Sequence, residues 1–213
     1  MSIVYASPSF ACIVVVRIVK DTISEVLEMI TSHSSPLTFR PPSSSNARAE
    51  SPFTLLSLDF LKGPWHVTHS TLPMWKKNRN VVITYTPLDS PPGAIDDLVE
   101  YFPLGSNKHK SVQGIDKPDP KVEGGYNWRG KGWLKIASSH WEVLGHGEED
   151  GGWVVTFFEK TLFTPAGIDV YARRQEGLSA ELLERIRAEM KKISDPGFQR
   201  QADQIFEIKH EPA

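Results

Sequence analysis

The chain has 213 residues, with 24 Lys and Arg against 26 Asp and Glu, and a formal net charge of -2 at pH 7. This length fits one domain, or one domain with an extension, and the near-zero charge argues against a nucleic-acid partner because it creates no field that attracts phosphate. A single cysteine, Cys12, excludes an internal disulfide and a cluster of thiolate metal ligands.

The first thirty residues contain one apolar run and one amphipathic segment. The run from Ala11 to Val16 stops at Arg17, so it is too short to cross a bilayer, and no basic residue precedes it as in a secretory signal. We therefore expect a cytoplasmic protein without a membrane span. Residues 21–30 have the apolar spacing of a short helix, which either docks on the fold or serves as a partner-binding or dimerising arm.

Residues 31–52 are rich in Ser and Pro, a composition typical of a linker that supports no core. The sequence thus predicts two parts. Residues 1–52 form an N-terminal extension, made of the short helix and the linker. Residues 53–213 form the folded domain.

Strand patterns run from Gly63 to Arg173. The clearest are residues 80–86, 126–137 and 140–145, while residues 95–102 and 112–115 predict two further strands on either side of a basic tip. Residues 153–162 and 168–173 complete the series. Ser179 then caps a helix whose apolar stripe ends before Pro196-Gly197.

The Gly63-Pro64-Trp65 tripeptide opens this antiparallel series. A glycine lets the chain pass close beneath a barrel, and an indole two residues later fills the closed end. The sequence therefore predicts an all-β fold: an antiparallel up-and-down barrel of eight or more strands, with a C-terminal α-helix and the N-terminal extension.

The same features resemble the lipocalin (calycin) pattern, in which Gly-x-Trp begins the first strand and a basic residue, here Arg173 or Arg174, ends the last. The blocks Trp65–Lys76, Trp128–Trp133 and Phe163–Asp169 resemble more closely a group of small fungal lipocalin-like proteins. The likeness covers residues 58 to 193. It implies a barrel that holds one hydrophobic small molecule, and in some relatives a cyclase that needs no cofactor.

Aromatic residues are the main candidates for the wall of a pocket. The chain has six tryptophans, and large rings suit a flat or polycyclic apolar ligand. From strand parity and loop position we predict that the ligand-binding residues are Trp75, Tyr85, Trp128, Trp141, Phe157 and Thr161. Trp75 is expected to be exposed on a loop at the mouth.

Three polar residues are the candidates for catalysis: Glu159, Tyr171 and Arg129. Glu159 has the parity of Trp153, Val155 and Phe157, so it is the carboxylate that shares their apolar face and, if buried, can act as a general acid. The alternative is an ion pair of Glu159 with Arg129 or Lys131 on a neighbouring strand.

We find no phosphate-binding glycine loop, nucleophile elbow or His-Glu-x-x-His motif, and we expect neither a metal nor a cofactor. Two functions fit. One is a cofactor-free cyclase of the Diels-Alder or a related pericyclic type in secondary metabolism. The other is a non-catalytic carrier of a lipid, pigment or haem-like ligand.

Overall fold

Eight antiparallel strands close into a barrel in the computed structural model, which describes residues 36–49, 51–162 and 164–211. Each strand pairs with the next along the chain, and the first pairs with both the second and the eighth, which closes the sheet. The strands are β1 (Gly63–Ser70), β2 (Asn78–Pro87), β3 (Ile95–Pro103), β4 (Lys110–Pro118), β5 (Gly125–Gly130), β6 (Ser138–Gly147), β7 (Trp153–Phe158) and β8 (Gly167–Ala172). The predicted up-and-down barrel is confirmed, including β3 and β4.

Two helices follow the barrel, and a short strand returns to it. Helix α2 (Ala180–Lys192) and helix α3 (Pro196–Ala202) pack outside the sheet, while β9 (Phe206–Glu207) pairs with β1. Ser179 caps α2 as predicted, because its side chain accepts a hydrogen bond from the backbone N–H of Leu182. A four-residue helix, α1 (Leu58–Leu61), precedes β1. The helix predicted at residues 21–30 lies outside the described residues.

Successive side chains on a strand point to opposite faces, so the strands have two cores. One fills the barrel and contains Trp65, Tyr85, Trp141 and Tyr171. The other lies between the outer face of β6–β8 and helices α2 and α3. The C-terminal helices therefore cover one outer wall of the barrel.

The closed end of the barrel is built around Trp65, which is fully buried. The guanidinium of Arg173 lies 3.6 Å from the centre of the Trp65 ring and donates hydrogen bonds to the carbonyls of Phe60, Lys62 and Pro64. Gly63 has φ +97, a conformation that glycine adopts without strain. The predicted position of Trp65 at the closed end is confirmed, and of the two basic residues that the sequence offered, Arg173 is the one that covers it.

Residues 37–49 pack on the barrel instead of forming the free linker predicted for 31–52. Phe39 is buried and stacks on Trp153, with ring centres 5.8 Å apart. Arg40 forms an ion pair of 3.2 Å with the buried Glu142, and the backbone N–H of Ser43 donates to the same carboxylate. The Ser/Pro-rich composition did not predict this packing, because it depends on contacts of two individual residues, Phe39 and Arg40. The domain boundary at residue 52 stays a prediction.

The strand predicted at 126–137 is shorter than expected. β5 ends at Gly130, and residues Gly132–Ile136 form a 3-10 turn before β6. Gly132 has φ +60, and a Cβ on Gly130 would lie 2.4 Å from the carbonyl oxygen of Leu134. The two glycines let the chain fold back on itself, although the alternating pattern of side chains continues through the turn.

Candidate functional site

The inner wall is partly exposed at one end of the barrel. Strand register places Val99, Tyr101, Trp128 and Phe158 on the inward face, where they pack against the interior core yet keep contact with solvent. They lie near the end opposite Trp65, where the loops β1–β2, β3–β4, β5–β6 and β7–β8 gather. We call this end the open end and the four residues the upper wall. At this end the partly exposed inner wall is mostly aromatic.

Trp128 lies flat against the wall because the neighbouring strand has a glycine beneath it. A Cβ on Gly114 would be 2.1 Å from Nε1 of Trp128. Any other residue at position 114 therefore pushes the indole toward the middle of the barrel. The absence of a side chain at Gly114 is therefore what allows this position of the Trp128 ring.

An aromatic stack lies below the upper wall. Trp141 is fully enclosed between Tyr126, with ring centres 4.7 Å apart, and Tyr85, with ring centres 5.6 Å apart. Its indole N–H donates a hydrogen bond of 2.7 Å to Oδ1 of Asp116. The stack thus fixes the position of a carboxyl group inside the barrel.

Asp97 and Asp116 lie inside the barrel, below the upper wall, and we call this pair the floor. Asp97 faces Tyr85 on β2 and Gly114 on β4, and Asp116 lies two residues beyond Gly114, so both carboxyls share the inward face. Both are buried, and Oδ1 of Asp97 and Oδ2 of Asp116 have no hydrogen-bond partner among the described residues.

Burial changes the protonation of this floor. Desolvation raises the pKa of Asp116 to about 7, although the hydrogen bond from Trp141 acts in the opposite direction. The pKa of Asp97 is raised well above its ordinary value by desolvation and by the nearby negative charge of Asp116. Near neutral pH the floor therefore holds proton-bearing carboxyl groups, which donate as well as accept hydrogen bonds.

Tyr171 and Thr156 extend the floor toward β7 and β8. Both are fully buried and face inward, and the Tyr171 hydroxyl lies beside those of Thr156 and Tyr85. Burial raises the pKa of Tyr85 and Tyr171 well above the ordinary value, so both stay neutral donors.

Trp75 is buried, whereas the sequence predicted an exposed mouth residue. It lies in the 3-10 turn Pro73–Lys77 and packs edge-on against Tyr101, with ring centres 5.7 Å apart. Its indole also lies beside Asp169, which accepts a hydrogen bond from Ser70. Desolvation raises the pKa of Asp169 to about 7. Trp75 thus closes part of the open end from within.

Three predicted site residues meet on the outer surface. Arg129, Glu159 and Thr161 line an open groove of about 990 Å³ beside the β5–β6 and β7–β8 loops, and the inward-facing Trp128 also contributes to its lining. Ile115 pairs with Arg129 and Arg129 with Ser138, and these three have the parity opposite to the inward Asp116 and Trp128. The groove therefore runs along the outside of β4–β6.

The predicted catalytic trio does not come together, because Tyr171 faces the interior whereas Arg129 and Glu159 face outward. The parity argument for Glu159 was wrong. Its companions Trp153, Val155 and Phe157 cover the outer face beneath the helices. Phe157, predicted to bind ligand, contacts Phe198 of α3 with ring centres 6.3 Å apart. Tyr85 and Trp141 do lie inside, as expected, and their roles stay predictions.

Sequence reasoning missed the three buried aspartates: Asp97, Asp116 and Asp169. A signal was present for Asp97 and Asp169, since aspartate is depleted in strands and both lie within apolar segments. Across the described ranges, no group of three or more His, Cys, Asp and Glu side chains is arranged to hold a metal ion. No helix in those ranges is long and apolar enough to cross a membrane.

Comparisons with known proteins agree on the fold. No family model matches the chain, and no curated protein matches it in sequence. Among solved structures, apocrustacyanin C1 matches with a TM-score of 0.53 and 10% identity, over 72% of this chain and 79% of that one. The siderocalin Ex-FABP, which functions through dual ligand specificities, matches with a TM-score of 0.50 and 14% identity, over 72% and 96%. At these identities the likeness shows a lipocalin-type barrel, and the resemblance to fungal proteins stays a prediction.

Proposed function

We propose that this protein binds a hydrophobic small molecule that enters the barrel through the open end. The observation that carries the proposal is the pair of buried, unpartnered carboxyl oxygens of Asp97 and Asp116 beneath an aromatic upper wall. A buried polar atom without a partner costs about 1–3 kcal/mol, and such atoms in a folded protein call for a functional explanation. A ligand group that hydrogen-bonds them removes that cost.

The wall and the floor define the chemistry of the ligand. Val99, Tyr101, Trp128 and Phe158 suit an apolar or polycyclic body. The floor suits one neutral polar group, such as a carbonyl or a hydroxyl, because its carboxyls carry protons near pH 7. A carboxylate at the same place would lose its hydration and be repelled by the fraction of Asp116 that is ionised near pH 7, so an acidic head group is disfavoured there.

The fold adds general support. Lipocalin-type barrels of this size are just wide enough to hold one small ligand, and the siderocalin with a similar fold functions through dual ligand specificities. Binding without chemical change, as by a carrier, is the simplest use of this arrangement.

The test is a titration of the purified full chain with neutral polyene and polycyclic probes, followed by quenching of tryptophan fluorescence. We expect saturable binding, and at least a tenfold weaker affinity for Trp128→Ala. The control is Phe102→Ala, which removes a ring of β3 that contacts Arg79 and His109. Mass spectrometry of extracts from the purified protein identifies a resident ligand. Absence of saturable binding, or an equal loss of affinity in Trp128→Ala and Phe102→Ala, contradicts the proposal.

A second candidate function is cyclase activity on the bound ligand, and one specific observation favours it. Asp116, with its pKa near 7, and the neutral Tyr171 are donors suited to an activating carbonyl of a bound polyene. A pericyclic ring closure is an isomerisation, so it needs no oxidant, reductant or cofactor. Holding the reacting carbons together contributes up to about 7–11 kcal/mol. In this version the donors are Asp116 and Tyr171 instead of Glu159 and Arg129.

Product analysis separates the cyclase from the carrier. The full chain is incubated with linear polyene precursors, and product is measured against the protein-free background. If the protein is a cyclase, product forms faster than in the protein-free background, and Asp116→Asn lowers the rate of product formation more than it lowers the affinity for the precursor. A rate equal to the background, with binding intact, leaves the carrier function.

A further inference from the structure

Exposed apolar side chains concentrate at the open end. We define the open-end loops as residues 71–77, 104–109, 131–137, 159–162 and 164–166, which lie between the strands at that end. Of the six large hydrophobic side chains exposed in the described parts of the chain, five lie in these loops. They are Met74, Leu104, Trp133, Ile136 and Leu162.

Three of these side chains are almost fully exposed. Trp133 is 86% exposed, Ile136 83% and Leu162 95%. Trp133 and Ile136 belong to one 3-10 turn, and Ile136 and Leu162 line the same outer groove. The three therefore form apolar tips on two adjacent loops, and exposing them to water is unfavourable unless they have a partner.

The same loops are basic. The open-end loops contain six lysines and one carboxylate, Glu159. The loops at the closed end, residues 88–94, 119–124 and 148–152, contain six carboxylates and one lysine, Lys121. Among the described residues, Lys131 alone of the six open-end lysines forms an ion pair, with Asp96 at 2.9 Å. The six are Lys76, Lys77, Lys108, Lys131, Lys135 and Lys160.

Apolar tips within a ring of lysines fit the surface of an anionic bilayer. Tryptophan prefers the headgroup region, and lysine keeps its ammonium at the phosphates while its stem lies along apolar groups. Each lysine near such a surface adds electrostatic attraction, and the apolar tips add insertion. Both contributions arise from the same four loops.

A second copy of the chain fits this surface less well. Two open ends placed face to face bring six lysines against six lysines, which repel. An open end placed on the acidic closed end of another copy satisfies the charges. In that arrangement, however, the apolar tips contact the acidic loops. Among the described residues outside the open-end loops, Leu55 is the one large hydrophobic side chain that is exposed, so there is no matching apolar surface for the tips.

We propose that the open-end loops dock on the surface of an anionic lipid bilayer, with Trp133, Ile136 and Leu162 inserted at headgroup level. In this orientation the opening of the barrel faces the membrane. The docking does not depend on the proposed function, because the tips and the lysines lie outside the barrel interior.

The first experiment measures sedimentation of the full chain with vesicles. We expect binding to phosphatidylcholine vesicles that contain 30 mol% phosphatidylglycerol, and at least tenfold weaker binding to pure phosphatidylcholine. Raising the salt concentration should weaken binding to the anionic vesicles, because salt screens the lysines. Equal binding to both vesicles, or no binding to either, overturns the proposal.

Matched variants test each contribution. The triple variant Trp133→Ser, Ile136→Ser, Leu162→Ser should lose at least tenfold in affinity for anionic vesicles, whereas the control Leu55→Ser should not. Lys135→Glu with Lys160→Glu should lose binding, whereas Lys121→Glu at the closed end should not. The thermal unfolding temperature of each variant shows that it folds. Unchanged binding by the triple variant overturns the proposal.

Two further measurements separate docking from other events. Trp128→Ala, expected to weaken ligand binding, should bind vesicles like the unmodified chain, so the two proposals fail independently. Light scattering without vesicles reports self-association. If the chain associates and the triple variant abolishes that association, the surface joins copies of the chain and the membrane proposal is overturned.

Discussion

Three aspartates inside the barrel make the protein sensitive to pH at the level of single residues. The pKa values of Asp116 and Asp169 are raised to about 7 by desolvation. The folded protein then holds protons that the unfolded chain has already lost. Folding is therefore favoured at acid pH, and stability falls as the pH rises from about 4 to about 7, by up to about 4 kcal/mol for each carboxyl.

Asp169→Asn tests this dependence. The amide keeps an acceptor for the hydroxyl of Ser70 but has no proton to lose. We expect the free energy of unfolding to depend less steeply on pH between about 4 and 7, and the variant to be more stable than the unmodified chain at pH 8. Urea unfolding across this range provides the measurement. Asp89→Asn, at an exposed turn, is the control, and an unchanged slope for Asp169→Asn contradicts the prediction.

Arg173 is the second residue whose effect is open to test. Its guanidinium covers the Trp65 ring and donates to three carbonyls, so Arg173→Ala should cost about 2–4 kcal/mol of unfolding free energy. Arg173→Lys should recover only part of this, because an ammonium lacks the planar fork. Arg174→Ala removes the neighbouring basic residue, whose partner is Asp150, and should cost under about 1 kcal/mol.

If Arg173→Ala and Arg174→Ala unfold at the same temperature, the prediction that Arg173 stabilises the closed end is wrong. The sequence left Arg173 and Arg174 as equal candidates. The structure separates them because Arg173 lies over the Trp65 ring, whereas Arg174 forms an ion pair with Asp150.

At the scale of the element, β7 shows why strand parity was harder to interpret than strand position. Both faces of β7 are apolar: Val154 and Phe158 face the barrel, whereas Val155 and Phe157 face the helices. A strand between two cores gives no alternation that distinguishes inside from outside. Its position was predictable from β-branched and aromatic residues, but its orientation depends on helices distant in sequence.

Phe157→Ala and Trp128→Ala form a matched pair for this assignment. Phe157→Ala should lower stability by about 3–5 kcal/mol, because it leaves a cavity beneath α3, and should leave the affinity for a neutral polyene probe unchanged. Trp128→Ala should lower the affinity and cost less stability, because the ring is already partly exposed. Thermal unfolding and probe titration measure the two effects. A loss of affinity in Phe157→Ala at temperatures where it is folded contradicts the assignment.

The β5–β6 connection shows a second limit at this scale. The alternation of apolar and polar residues from Trp128 to Ile136 predicts one continuous strand, but the second half of this stretch forms a 3-10 turn. The residue types alone do not distinguish the two conformations. The signal that marks the end of β5 is backbone freedom at Gly130 and Gly132, which permits both a bulge and a turn. Only the contact with Leu134 decides between them.

For the whole molecule, the sequence predicted the barrel, its closed end and its C-terminal helix. These follow from local patterns: a Gly-x-Trp, short strands with turn residues and a capped amphipathic helix. The candidate site was less predictable. Tyr85, Trp141 and Tyr171, which the sequence offered as site residues, do face the interior, and their roles stay predictions. Asp97 and Asp116 were missed because their proximity arises from pairing of β3 with β4. The packing of residues 37–49 depends likewise on Glu142, a contact made across about a hundred residues.

The plug of Trp65 and Arg173 at the far end of the barrel also has a kinetic consequence. Under the proposed binding function, a guest leaves through the open end by which it entered, because the plug blocks the other end, so the replacement of one guest by another proceeds in sequence. The resident molecule must dissociate before the next one enters, and a competitor cannot displace it from behind. The dissociation rate of the resident therefore sets the upper limit for exchange, however concentrated the competitor is.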